Sequence, residues 1–204
     1  TEIDISTEAY STIQSVFENA DVIYFTGGNS FFLMDQLRKT GADGLLKKEL
    51  ENGKLLWDVV VLFAANINYD SDAGRPFVKC NPQVQYLLDN NETYLQPLRK
   101  RGIKVLLGLL GNHDMAGLAQ LSEQGAKDFA REIAQYCYAY NLDGVNYDDE
   151  YSKTPDLENP AFDERSTRAA ARLCYETKRA MPDKLVTVFD YGAMSVSYTH
   201  LTLP

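Results

Sequence analysis

The stretch N-L-D-G-V-N-Y-D-D-E-Y-S, Asn141 to Ser152, decides how the rest of this chain is read. Taken as a β-strand, it points Asn146, Asp148 and Glu150 to one face and Val145 and Tyr147 to the other. Successive groups on the polar face then stand about 6 to 7 Å apart. An amide and two carboxylates on one face of an otherwise apolar strand are costly to bury without a task, so the pattern predicts a functional site. A solvated acidic turn is the plain alternative. Leu142, Val145 and Tyr147, spaced like packed strand residues, weigh against it. A calcium loop of the EF-hand type is excluded, because its sixth and twelfth positions need Gly and Glu and are Tyr151 and Leu157 here.

On both sides of this stretch the pattern alternates between strand and helix. Residues 58 to 66 read as a strand, followed by a polar loop from Asp70 to Gly74. A helix opened by Asn81 as cap and Pro82 at its first position should carry Val84, Leu87, Leu88, Leu95 and Leu98 inward, with a kink at Pro97. Lys104 to Leu110 is continuously apolar, as parallel strands buried on both faces are. The next helix, capped by Ser122, presents Ala126, Phe129, Ala130, Ile133, Ala134 and Cys137 on one face. After the motif strand come a Pro-containing loop, a helix with Ala169, Ala170, Leu173, Cys174 and Thr177 inward, and a strand from Lys184 to Phe189. This order implies right-handed parallel βα units of an α/β fold. In such folds functional groups gather at the C-terminal ends of the strands. Asn66 and Asn68, Asn112 and His113, Asp148 and Glu150, and Asp190 and Tyr191 all fall there. A single His in such a loop reads first as a structural, hydrogen-bonded residue; within this set His113 becomes a candidate substrate contact.

The 204 residues, 45% hydrophobic and 24% charged, fit a soluble globular protein of one or two domains. The net charge of -9, with no offsetting basic cluster, argues against nucleic acid as a partner. No stretch reads as a membrane span, and no signal-peptide pattern opens the chain. Cys80, Cys137 and Cys174 lack metal-ligand spacing, and the last two sit in helical apolar stripes as packing residues.

D-G-V-N-Y-D-D-E (143 to 150) resembles the D-G-x-D-x-D-x-E signature of glycoside hydrolase family 18, and the flanking Y-N-L-D-G and E-Y-S resemble its endo-β-N-acetylglucosaminidase branch. D-V-V-V-L-F-A-A-N-I-N (58 to 68), K-V-L-L-G-L-L-G-N-H (104 to 113) and M-P-D-K (181 to 184) are similar to that branch as well. The resemblance implies a partial (β/α)8 barrel over residues 56–194, of about four βα units. A whole barrel takes about 250 residues. It implies hydrolysis of the GlcNAc-GlcNAc (chitobiose) core of N-glycans or glycoproteins by a substrate-assisted retaining mechanism, without metal or organic cofactor. By the same resemblance Glu150 is the general acid and base and Asp148 orients the substrate's acetamido group, while Asn146 on the motif's polar face and the strand-end residues Asn66, Asn68, Asn112, His113, Asp190 and Tyr191 are candidate substrate contacts. Asn146 stands where many members carry Asp, and an amide adds no charge to set the ionisation of Asp148. The setting implied for such an enzyme is secreted, periplasmic or cell-surface. Members lacking the acid are lectins, so a carbohydrate-binding protein is the alternative class; Glu150 favours the enzyme.

The first 55 residues are of another kind. A-D-V-I-Y-F-T-G-G-N-S-F-F-L (20 to 33) through E-N-G-K (51 to 54) resembles peptidase family S51, the dipeptidase E-like serine peptidases. A strand at 21–25, a Gly27-Gly28 turn and a helix ending near Thr40 and Gly41 are expected there, as a strand-helix fragment of a different α/β fold. In that family the G-K step leads into a strand bearing the nucleophile elbow G-x-S-A-G. Here L-L-W-D-V-V-V-L-F follows Lys54 and no serine elbow is present, so a peptidase activity is not expected. V-S-Y-T-H-L-T-L-P (196 to 204) resembles the in-frame translation of a sequencing-library adapter. The expected organisation is thus a peptidase-like piece (1–55), a partial glycosidase barrel (56–194) and an artefactual tail (195–204).

Overall fold

The computed structural model describes residues 7–19, 38–41, 58–190 and 192–194. The strand expected at 21–25, its Gly27-Gly28 turn, the Lys54–Trp57 junction, Tyr191 and the tail all lie outside them. The chain divides into two compact units, Thr1–Asp58 and Val59–Pro204. In the first, helix α1 (Tyr10–Asn19) buries Ile13 and Phe17, four residues apart and so on one face. Residues 38–40 are helical and end at Gly41, whose φ of 75° suits a residue without Cβ.

The second unit is built on one sheet, ordered β2-β1-β3-β4-β5. Its strands are β1 (Val59–Asp70), β2 (Arg75–Cys80), β3 (Lys104–Leu110), β4 (Gly144–Asp148) and β5 (Leu185–Val188). β1, β3, β4 and β5 are parallel neighbours, while β2 folds back antiparallel on β1. The polar loop expected at Asp70–Gly74 is therefore the turn of a hairpin. Asp70 Oδ1 accepts from Asp72 N and Ala73 N, and Gly74 takes φ 66°. β2 escapes a sequence reading because R-P-F-V-K-C contains Pro76, a residue that sheets tolerate at edges. Glu132 pins this strand from a helix, accepting from Val78 N at 2.9 Å and Arg75 at 2.6 Å.

The single helix expected from Pro82 to Leu98 is three short ones, α2 (Pro82–Asp89), α3 (Asn91–Tyr94) and α4 (Gln96–Lys100). Asn90 ends the first, and Pro97 has no N–H with which to continue a ladder. Their packed stripe is as read, with Val84, Leu88 and Leu95 buried and Leu87 and Leu98 packed against them. α5 (Glu123–Ala139) is capped by Ser122, which accepts from Gly125 N, and buries Ala126, Phe129, Ala130, Ile133, Ala134 and Cys137. α6 (Thr167–Ala180) is capped by Ser166 and buries Ala169, Ala170, Leu173 and Thr177, with Cys174 half-buried. Burial pushes the Cys137 thiol up to about 12 and Cys174 to about 11, as suits inert packing residues.

These helices cover the face of the sheet that carries Leu62, Val105, Leu107, Leu109, Val145 and Tyr147. Tyr147 shares a 2.7 Å hydrogen bond with Thr177 of α6. The opposite face carries Asn146 and Asp148 and is the inner side of the sheet. Four parallel strands with helices on the outer face are a partial (β/α)8 barrel. No helix among the described residues is long and apolar enough to cross a membrane.

Candidate active site

The motif strand works at both of its ends. At the bottom, Asp143 accepts from Arg99 through both carboxylate oxygens, at 2.8 and 3.1 Å, and from Val105 N at 2.9 Å. Burial pushes this carboxyl up, but the hydrogen bonds from Arg99 and Val105 outweigh it and hold it below the ordinary value. Gly144 follows with φ 149°, and a Cβ there would lie 2.0 Å from the Leu185 carbonyl oxygen. D-G thus serves as the foot of β4, clamping it to β3 and β5.

Register defines the top. Asn66, Leu110 and Asp148 lie in one row across β1, β3 and β4. Two residues further on, Asn112 Nδ2 donates to Asn68 Oδ1 at 2.8 Å. Asp148 is the last residue of β4 and is 8% exposed, and its Oδ1 is buried with no hydrogen-bond partner among the described residues. Burial first, then the charges of Glu150 and Asp149, push its carboxyl up from 3.8 to about 6. Glu150 lies beyond the end of the strand, half-buried. Asn146, one inner-facing position below Asp148, donates to Thr187 Oγ1 of β5 at 2.9 Å.

Asn66 is half-buried and donates to the Gly111 carbonyl at 3.2 Å, more weakly to Leu110, so its amide stitches β1 to the loop after β3. Asn68 is buried and its Nδ2 has no partner among the described residues. Asn112 and His113 are exposed. Asp190 is exposed just past β5, on the same edge as the others. Among the described residues no three His, Cys, Asp or Glu side chains converge as a metal site would.

Four supporting residues were not read from the sequence. Asp149 is 0% exposed; its Oδ1 accepts from Ala119 N, its Oδ2 lies 2.8 Å from Arg165 Nη2, and the same nitrogen donates to the Asp149 carbonyl. The peptide between Asp148 and Glu150 is thereby fixed to two other loops. Asp114 accepts from Tyr69 N and Ala116 N, and Gln120 Nε2 donates to the carbonyls of Met115 and Lys153. Alternation along β4 marks Asp149 as pointing away from the polar face, and nothing in the local sequence marks Arg165.

The parallel strands and their helices form a partial (β/α)8 barrel that sets Asp148 and Glu150 at the C-terminal end of its third parallel strand, β4. Over most of its length the chain resembles the endo-β-N-acetylglucosaminidases. It is 51% identical over 165 residues to "Endo-beta-N-acetylglucosaminidase F1" of Elizabethkingia meningoseptica, covering 80% of this chain and 49% of that protein. A second relative, the endo-beta-N-acetylglucosaminidase of a Flavobacterium species, is 36% identical over 162 residues, which is 79% of this chain and 48% of the relative. A crystal structure of EndoBT-3987 from Bacteroides thetaiotamicron with a Man5GlcNAc product superposes with a TM-score of 0.73 at 80% identity, over 76% of this chain and 36% of that one. The chain spans about half the length of these curated relatives. Residues 1–60 match the family model of Peptidase family S51. An uncharacterized peptidase of Listeria monocytogenes is 48% identical over 54 residues, 26% of each chain. The two resemblances seen in the sequence are therefore both real, and each holds for its own part of the chain.

Proposed function

We propose that residues 59–194 carry the acid-base half of an endo-β-N-acetylglucosaminidase site that acts on the chitobiose core of N-glycans. The observation that supports this most is the Asp148–Glu150 pair: a buried acceptor without a partner, its carboxyl raised to about 6, two residues from a second carboxyl at the rim. A related structure is described with a Man9GlcNAc2Asn substrate, at 77% identity over 78% of this chain. In this reading Glu150 gives its proton to the glycosidic oxygen as the substrate's acetamido oxygen attacks the anomeric carbon, and the leaving sugar departs with that proton. Asp148 Oδ1 accepts the acetamido N–H, which turns the nucleophile toward the carbon and offsets the charge developing on the oxazolinium ring. Glu150, now a carboxylate, takes a proton from the water that opens that ring, and configuration is retained. Asn68, Asn112, His113, Asp190 and Tyr191 are proposed as substrate contacts, while Asn66 and Asn146 act through the backbone and Thr187 to hold the strand ends.

The test is a segment exchange. Residues 59–194 replace the matching segment of EndoBT-3987, and release of glycan from a high-mannose glycoprotein is followed by mass. The exchanged enzyme is expected to hydrolyse, and its Glu150→Gln form to lose at least about 10³-fold while folding normally. A folded exchange enzyme without hydrolysis, or a Glu150→Gln form that keeps it, overturns the reading.

A further inference from the structure

Beside Glu150 two loops hold bulky residues in a backbone conformation that such residues rarely adopt. Tyr151 has φ 61° and His113 has φ 55°. The remaining non-glycine residue with positive φ among those described is Asn141, which follows a helix end where Asn is at home. The two strained residues are bonded to each other: His113 N donates to the Tyr151 carbonyl at 2.7 Å, and their rings stand 5.4 Å apart at 59°. Neither ring is thereby buried. Tyr151 is 56% exposed and His113 is exposed, so core packing does not account for the strain. Strain held in this way clusters at ligand sites. The approach is also enforced from below, since a Cβ on Gly111 would lie 2.2 Å from the Glu150 carbonyl oxygen.

What lies on the same edge of the sheet points to the ligand. Asp148 Oδ1 is an acceptor and Asn68 Nδ2 a donor, both buried in residues 8% exposed and both without partners among the described residues. A ligand with a polar edge for that acceptor and donor, and a flat C–H face for two exposed rings, satisfies all four groups. A pyranose has both.

We propose that Tyr151 and His113 form a stacking platform for the N-acetylhexosamine ring next to the bond that Glu150 cleaves. This rests on the reading of Asp148 and Glu150 as the glycosidic pair. The platform selects by shape, because a ring with all-equatorial substituents presents an unbroken C–H face to the aromatic rings.

The test uses the full chain and N,N′-diacetylchitobiose as probe, with saturation-transfer NMR for binding and thermal melting for stability. Tyr151→Asn and His113→Asn remove the rings while placing a residue that accepts positive φ. Both are expected to weaken binding about tenfold, the scale of one aromatic contact, with Tm within about 3 °C of the unsubstituted chain. Undiminished binding by Tyr151→Asn, with binding lost in Asp148→Ala, overturns the platform and leaves the glycosidic reading standing. A fall in Tm well beyond that range in both Asn variants assigns the rings a structural role and overturns it too. No binding by the unsubstituted chain overturns the platform, while the glycosidic reading stands or falls with the segment exchange.

Discussion

Asp143 and Asp148 belong to one motif and respond to pH in opposite senses. Asp143 is held below its ordinary value, so its contribution to stability is present above that value and is lost as pH falls through the depressed one. Asp148 is raised from 3.8 to about 6. Between those values the folded chain keeps a proton that the unfolded chain has released, so the stability is full below about 3.8 and is lost as pH rises through about 6. At 1.36 kcal/mol per pKa unit the loss is roughly 2 to 3 kcal/mol. Asp148→Asn should therefore stabilise the chain by about that much at pH 7 and by nothing below pH 4, read as urea midpoints at the two pH values. Equal midpoints for the two chains at pH 7 would show that the carboxyl is not strained by its site. Glu150→Gln, which removes the second largest cause, should move the Asp148 titration toward its ordinary value in carboxyl-labelled NMR. The Asp148 carboxylate is thus held at a cost in stability, as groups in preorganised sites are.

At the scale of elements, β4 is fixed at its foot more than at its tip. Gly144→Ala would set a Cβ 2.0 Å from the Leu185 carbonyl oxygen at a φ of 149°, and since that neighbour is backbone it has little room to give. The expected cost is about 3 kcal/mol or more, with β5 the first strand to lose amide protection in hydrogen exchange. Protection of β5 equal to that in the unsubstituted chain would refute this. The sequence carried most of these elements because their periods are clean: the stripe on α5 and the unbroken apolar run of β3 leave little choice. β2 was missed because Pro76 and a short polar turn read as loop, although the edge position makes Pro harmless there. The three-way break of the helix after Asn81 follows Asn90 as well as Pro97. Within the site, alternation located Asp148 and the motif located Glu150, because both lie on or next to a strand. Asp149 and Arg165 were illegible since their partners come from loops whose course no local pattern sets.

For the whole molecule the question is what four parallel strands can do without closure. The inner face of the sheet carries Val61, Phe63, Leu185 and Phe189 at 39 to 51% exposed. β3 is buried on both faces, as its unbroken apolar run predicts, with Val61 and Phe63 leaning over Gly108 within 3.0 Å of where its Cβ would stand. The open apolar surface is thus concentrated at β1 and β5, on either side of β3 and β4. A closed barrel needs eight strands, and the described sheet has four parallel ones in a chain that spans about half of its curated relatives. Glu150 and Asp148 consequently face no opposite wall among the described residues, and a water-filled site weakens every charge interaction that the mechanism needs. Loss of one stabilising group costs about 10²- to 10³-fold in rate. The chain by itself is therefore expected to release no glycan from a high-mannose glycoprotein such as ribonuclease B above background, and to associate through its apolar inner face. Mass analysis of the glycoprotein and light scattering of the chain check the two halves, and Phe63→Ser combined with Phe189→Ser should lower the scattering while leaving circular dichroism unchanged. Turnover comparable with the full-length endo-β-N-acetylglucosaminidases would mean that four βα units suffice for the chemistry, and would remove closure of the barrel from the requirements of catalysis.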